Sequence, residues 1–186
     1  NPNLTMDIIE KYPDKPWDWT GISRNPNITI EIIEKYPNKP WSWWGVSDNP
    51  NLTMEFFEKY IDKPWHWYYI SQHPNLTMEI IEKYPNKPWD WERISCNSNI
   101  TMEIIEKNLN KTWVYGWWGI SHNPNLTIDF IEKHPNENWN LWAIYRFSNF
   151  IIELIEKYPQ KFRINNDINI SNNPNLTIEF IEKHID

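Results

Sequence analysis

Apolar residues along this chain keep a fixed rhythm: a close pair, a tyrosine, two tryptophans two places apart and a final aliphatic residue, as in Ile8, Ile9, Tyr12, Trp17, Trp19 and Ile22. Polar residues fill the places between, and the phrase then begins again. The acid of the motif marks the frame. It recurs at Asp7, Glu31, Glu55, Glu79, Glu103, Asp129, Glu153 and Glu179, at intervals of 24, 24, 24, 24, 26, 24 and 26 residues. A Glu-Lys pair follows in every unit, from Glu10-Lys11 to Glu182-Lys183. Units begin near residues 1, 25, 49, 73, 97, 123, 147 and 173, about seven and a half in all. Self-similarity at this period marks a stacked array. Its two-residue insertions lie between Trp113 and Trp117 and within the stretch from Arg163 to Ile170, second halves of units where an array accommodates loops.

The pattern predicts two short helices per unit. Thr5 is a good N-cap, and Asp7 stands in the first turn, where the helix dipole favours a negative charge. The first helix runs from Met6 to about Tyr12, with Ile8, Ile9 and Tyr12 as its apolar stripe. Pro13 ends it, because the residue before a proline is pushed out of the helical region. Pro16 suits the first position of a second helix that buries Trp17, Trp19 and Ile22, and "NPN" is the turn into the next unit. Isolated helices below about 12 to 15 residues are marginal in water, so stacking has to supply the stability. One or two tryptophans per unit are enough for that, since truncating a core aromatic costs about 3 to 5 kcal/mol. The expected fold is all-α, an α-solenoid of tandem 24-residue helix-turn-helix repeats. A β-solenoid is the rival; two prolines per unit and the run "EIIEKY" favour helices. The seventh unit departs, with "FSNFI" over 147–151 and Arg163 after Phe162 at the tryptophan place, which predicts altered curvature or lower stability there.

Composition narrows the function. Asp+Glu 25 against Lys+Arg 18 gives a net charge of -7, which argues against nucleic acid as the partner. One cysteine, Cys96, forms no internal disulfide and fits a reducing cytoplasm. With no membrane-length apolar run and no initiating Met, the chain reads as a non-membrane segment of a longer array.

Candidate chemistry is sparse. Trp17, Trp41, Trp65, Trp89, Trp113 and Trp139 recur at one place in the unit, as a stacked core requires, whereas Trp44, Trp118 and Trp142 lie off that place and are candidates for exposure. Asn3, Asn27, Asn51, Asn75, Asn99, Asn125 and Asn175 open formal glycosylation sequons, but the Thr is explained as a cap and the Asn as a turn residue, linking neighbouring turns in a ladder. The repeated Glu-Lys pairs read as charge rows between units, since an eightfold carboxylate has no unique site around it. His66, His73, His122, His134 and His184 fall at different unit positions and assemble neither a metal site nor a triad with Cys96, and 4 glycines make no phosphate loop. The expectation is a protein with no catalytic residues, cofactor or metal.

The informative places are those that vary while the frame holds. They give Asp18, Thr20, Gly21 and Arg24; Ser42, Trp44, Gly45 and Asp48; His66, Tyr68, Tyr69 and Gln72; and Asp90, Glu92, Arg93 and Cys96. With Trp118, His122 and Trp142 from later units, they form a candidate partner-binding ribbon on or just after the second helix. Tyr, Trp and Arg are the residues enriched at binding hot spots. The alternative is an ordinary solvated surface.

With "NPNLTMEIIEKYPNKPWDW" in view, the chain resembles the short tandem-repeat proteins encoded in large numbers by giant DNA viruses of amoebae, over its whole length. The resemblance implies no catalytic residues. By analogy with ankyrin repeats and other α-solenoids, it implies a protein-binding or scaffold role, in the host-cell cytoplasm or the virion. A self-assembling filament or virion component stacking through repeat ends is the alternative, and a glycan-binding protein using exposed tryptophans a third.

Overall fold

The repeat becomes short helices in a computed structural model that describes residues 3–116, 118–147, 150–158, 177–179 and 182, with a pair of α-helices in each of the first four units. The protein is an all-α helical-repeat solenoid. Contacts divide it into two compact units, Asn1–Trp89 and Asp90–Asp186. The first holds α1 (Met6–Lys11), α2 (Trp19–Ser23), α3 (Ile30–Lys35), α4 (Trp43–Ser47), α5 (Met54–Lys59), α6 (Trp67–Ser71) and α7 (Met78–Lys83). The second holds α8 (Trp91–Ser95), α9 (Met102–Lys107), a 3-10 turn (Ile120–His122), α10 (Ile128–Lys133), α11 (Leu141–Phe147) and α12 (Ile151–Lys157). Among the described residues there is no strand, and no helix is long and apolar enough to cross a membrane. The insertion from Arg163 to Ile170, and Arg163 itself, lie outside the described residues.

The predicted first helix is correct in place, but its buried stripe is shifted. Ile9 is buried, whereas Ile8 and Tyr12 are exposed and Met6 is buried in their stead. Residues three apart share a helix face, so Met6 and Ile9 point the same way. A third column comes from the turn: Ile28, Leu52, Leu76, Ile100 and Leu126 are all buried. Ile22, Val46, Ile70, Ile94, Ile120 and Ile144 from the second element complete the core.

Pro16 does not open the second helix, which begins three residues later at Trp19. The intervening segment is held by its tryptophan. The Trp17 backbone N–H donates to the Lys15 carbonyl (2.8 Å), and its indole N–H donates to the Tyr12 carbonyl (2.9 Å) at the open end of α1. The same indole bond recurs at Trp41 (2.8 Å), Trp65 (2.9 Å), Trp89 (2.9 Å), Trp113 (2.7 Å) and Trp139 (2.9 Å). Carbonyls at a helix C-terminus have no intrahelical partner, so each indole caps the helix end before it. Trp65, Trp89 and Trp139 are buried; Trp17, Trp41 and Trp113 are half-buried. From Trp41 onward each also meets the second aromatic of the preceding repeat edge to face. Trp19–Trp41 (5.2 Å), Trp43–Trp65 (4.9 Å) and Trp67–Trp89 (5.1 Å) do so in the first unit, Trp91–Trp113 (5.3 Å) and Tyr115–Trp139 (5.4 Å) in the second. This arrangement sets ring edges against ring faces, which the quadrupoles favour.

Two polar ladders join neighbouring repeats. Ser23, Ser47 and Ser95 donate Oγ–H to the Trp19, Trp43 and Trp91 carbonyls and accept the backbone N–H of Ser42, His66 and Val114, each at 2.9 Å. The buried Asn49 Nδ2 donates to the carbonyls of Ser23 (2.7 Å), Asn25 (3.3 Å) and Ile28 (3.0 Å). Asn123 repeats this with Ser95 (2.9 Å), Asn97 (3.1 Å) and Ile100 (2.8 Å). Outside them runs the expected charge row. Lys59–Glu34 and Lys83–Glu58 (both 2.7 Å), Lys133–Glu106 (2.8 Å) and Lys157–Glu132 (2.5 Å) each join one repeat to the one before.

The threonine caps hold in part. Thr53, Thr77, Thr101 and Thr127 accept the N–H of the residue three on, but Thr5 and Thr29 make no such bond. The Thr29 hydroxyl instead bonds the Glu31 carboxylate and holds it below its ordinary range. In the seventh repeat Phe150 stands at the cap and has no capping side chain. The insertion after Trp113 costs a helix: Ile120 N–H donates to Val114 O (2.7 Å), and only a 3-10 turn follows.

His73 replaces the ladder asparagine in the fourth repeat. It is 6% exposed, and its Nδ1 accepts the Asn75 N–H (3.2 Å), as Asn49 Oδ1 accepts that of Asn51 (2.8 Å). Burial lowers its pKa from the ordinary 6.5. A proton on Nδ1 would remove the acceptor. Between the lowered folded value and 6.5 the unfolded chain therefore binds the extra proton, and stability falls as pH falls.

Asn49→Ala should lower stability by roughly 1 to 3 kcal/mol in urea denaturation, because the Ser23, Asn25 and Ile28 carbonyls each lose one buried hydrogen bond. His73→Asn should flatten the loss of stability on going from about pH 7 to about pH 5, measured as paired urea midpoints.

Candidate functional site

Second helices have little length with which to bury side chains, and within each unit rings and guanidinium groups from successive repeats lie against one another. The helices α2 and α4 approach closely. A Cβ built on Gly45 would lie 2.5 Å from the Thr20 carbonyl and 2.9 Å from Ser23 Cβ. Gly45 is therefore buried seam, not outward ribbon, and its lack of a side chain brings the helices together. On Gly21 a Cβ would meet only the Asp18 carboxylate, which is able to swing away.

Several candidate residues serve local structure. Asp18 caps α2, accepting the Thr20 N–H (3.0 Å), and Thr20 is half-buried. Ser42 and Asp90 do the same for α4 and α8. Gln72 closes α6, its N–H donating to the Tyr68 carbonyl (3.3 Å), and Glu92 lies half-buried in the first turn of α8. Cys96 Sγ donates to the Arg93 carbonyl (3.4 Å), and burial raises its thiol pKa, so it is a poor nucleophile.

The remaining candidates in the first unit form one connected strip. Trp44 is 38% exposed and meets Tyr69 (5.3 Å) and His66 (6.0 Å) edge to face. His66 lies against Tyr69 (4.9 Å) and Tyr68 (6.2 Å), and those tyrosines meet at 5.2 Å. The Arg24 guanidinium sits over the Trp44 ring at 6.0 Å and reaches Asp48 Oδ2 with Nε at 2.5 Å. That carboxylate, mostly enclosed, neutralises the cation on the spot.

The second unit carries a strip of similar make but different charge. Arg93 lies over the Trp118 ring (5.3 Å), Trp118 stacks on His122 (5.0 Å, planes 28° apart), and His122 faces Trp142 (6.4 Å). Arg146 lies over the far indole, Trp142, at 5.1 Å. Trp118 and Trp142 are 44% and 40% exposed. Burial, and next the Arg93 charge, lowers the His122 pKa, so at neutral pH the ring is uncharged. Arg146 is the member that sequence reading missed. Counted from Asn123, the first residue of its unit, Arg146 stands at the 24th place, that of Arg24 and Asp48.

Among the described residues no group of three His, Cys, Asp or Glu is placed to hold a metal ion. An open cleft of about 440 Å³ lies on the first-helix side, lined by Thr29, Glu31, Glu34, Thr53, Glu55 and Lys59 among others. Glu34 in it is already paired with Lys59. Comparison with protein-family models, curated proteins and solved structures gives no match.

Gly45→Ala should cost about 1 to 3 kcal/mol by overpacking the α2–α4 seam, and Gly21→Ala clearly less, as read by paired urea denaturation curves.

Proposed function

We propose that this protein is a non-catalytic protein-interaction module that docks a partner on the ring and guanidinium strips of its second elements. One observation carries the reading. The indole of Trp44 is exposed within a connected set of rings that includes His66, Tyr68 and Tyr69, while the repeated contacts joining repeats use other side chains. An exposed Trp and half-buried Tyr side chains held rigid by their neighbours lose little side-chain freedom on binding, which is what makes such residues hot spots. The frame thus supplies rigidity and the variable places supply recognition.

Affinity capture with the wild-type protein beside a Trp44→Ala, Tyr68→Ala, Tyr69→Ala, Arg93→Ala variant tests the reading. Helical content of the two proteins is matched first by circular dichroism. A protein retained by the wild type, lost by the variant and then bound in a purified two-component titration is the expected outcome. Equal retention of every protein by both would defeat the proposal, and light scattering that shows growth with concentration would favour self-assembly instead.

A further inference from the structure

The open cleft on the first-helix side lies within the first unit and away from the ring strips, and its volume of about 440 Å³ is that of a small-ligand site. Its walls come from the starts of α3 and α5: Thr29, Ile30 and Glu31 from one repeat, Thr53, Glu55 and Phe56 from the next. Ile30 and Phe56, half-buried and buried, give it an apolar lining, and the exposed Glu31 and Glu55 give it two carboxylates. Each of these acids has a lysine four residues on, the spacing at which a helix pairs opposite charges. In α9 that pair forms, with Lys107 Nζ at 2.6 Å from Glu103 Oε1. Around the cleft it does not. Lys59 crosses to Glu34 of the preceding repeat (2.7 Å), and Lys35 lies over the Tyr36 ring (5.1 Å). Glu31 is held instead by the Thr29 hydroxyl, and Glu55 meets no cation among the described residues. The lining thus sets three carboxylates, those of Glu31, Glu34 and Glu55, against the one ammonium of Lys59.

We propose that this cleft binds a guanidinium group carried on an aliphatic stem, the chemistry of an arginine side chain. The stem packs on Ile30 and Phe56, and the planar head donates to Glu31 and Glu55 together. Charge complementarity selects a cation, because both carboxylates lack one of their own. The apolar lining selects an organic one. A metal ion needs several oxygen ligands converging on one point, and no group of three His, Cys, Asp or Glu is so placed among the described residues. Among organic cations, guanidinium spreads five N–H donors over one plane and so addresses carboxylates from two helices at once, whereas an ammonium is a point charge. The site uses none of the contacts of the ring strips and stands or falls apart from them.

The test follows backbone amide resonances of the isotope-labelled whole chain as N-acetyl-arginine amide is added, beside N-acetyl-citrulline amide, its uncharged isostere, and calcium chloride. The arginine compound should shift the Glu31, Glu55 and Phe56 resonances to saturation, and the citrulline compound should leave them in place. Glu55→Gln should weaken the arginine compound by about tenfold, the loss of one hydrogen bond to a charged group. Asp62→Asn removes the same charge from an exposed place outside the cleft and should change nothing, with circular dichroism showing that both variants keep their helices. Agmatine and the blocked peptide Ala-Ala-Arg-Ala-Ala separate the sources: tighter binding of the first assigns a free small molecule, and of the second a partner's side chain, each on the same two carboxylates. Equal shifts by citrulline and arginine, unchanged affinity in Glu55→Gln, or calcium moving the same resonances as strongly would each overturn the proposal.

Discussion

A helix of five or six residues has more unsatisfied backbone groups than internal hydrogen bonds, and everything else in this molecule follows from how those ends are closed. The first-helix carbonyls are met by an indole from the same repeat. The second-helix end and the turn after it are met by an asparagine from the next repeat, as Asn49 does for Ser23, Asn25 and Ile28. Closure thus comes partly from within and partly from the neighbour, so a repeat is finished only when the following one has docked. The ladder, charge-row and ring contacts described above each join adjacent repeats, which is the coupling expected of a solenoid.

This division explains what the sequence disclosed and what it withheld. The period, the helix pair, the proline stop and the charge rows were legible because each repeats in plain view and each depends on local chemistry. The start of the second helix was not. Pro16 is a sound first-position residue, but the backbone and indole bonds of Trp17 hold that segment out of the helix, and no propensity scale contains a bond made five residues back. The core column through Ile28, Leu52 and Leu76 was hidden in the same way, because it sits inside a phrase whose Asn and Pro advertise a turn. Gly45 looked like a variable surface letter, and only the distance to the Thr20 carbonyl shows it to be a contact.

The candidate surface was legible as a set of variable columns and illegible as chemistry. Columns say which residues are free to differ; they do not say that Asp18 and Asp90 are committed as caps, or that Arg24 is already satisfied by Asp48. Nor do they show that an insertion exchanges a helix for a 3-10 turn between Trp113 and His122. Two strips built from similar rings and guanidinium groups differ at one place: the residue after the ladder serine is Asp48, paired with Arg24, in the first and His122, stacked on Trp118, in the second.

The asparagine ladder carries a further consequence, for modification. Asn27, Asn51 and Asn125 each open an Asn-X-Thr triplet, and in each the Nδ2 donates to a carbonyl of the preceding repeat, Leu4 (3.3 Å), Pro26 (2.7 Å) and Ser98 (2.6 Å). The nitrogen to which a sugar would be joined is the one that docks the repeat, and the hydroxyls of Thr53 and Thr127 are taken up as caps. A sugar on that nitrogen would replace one of its two hydrogens and leave a single N–H for the ladder, so Asn51, which donates to both Pro26 and Ile28, would give up one of its two bonds to the preceding repeat.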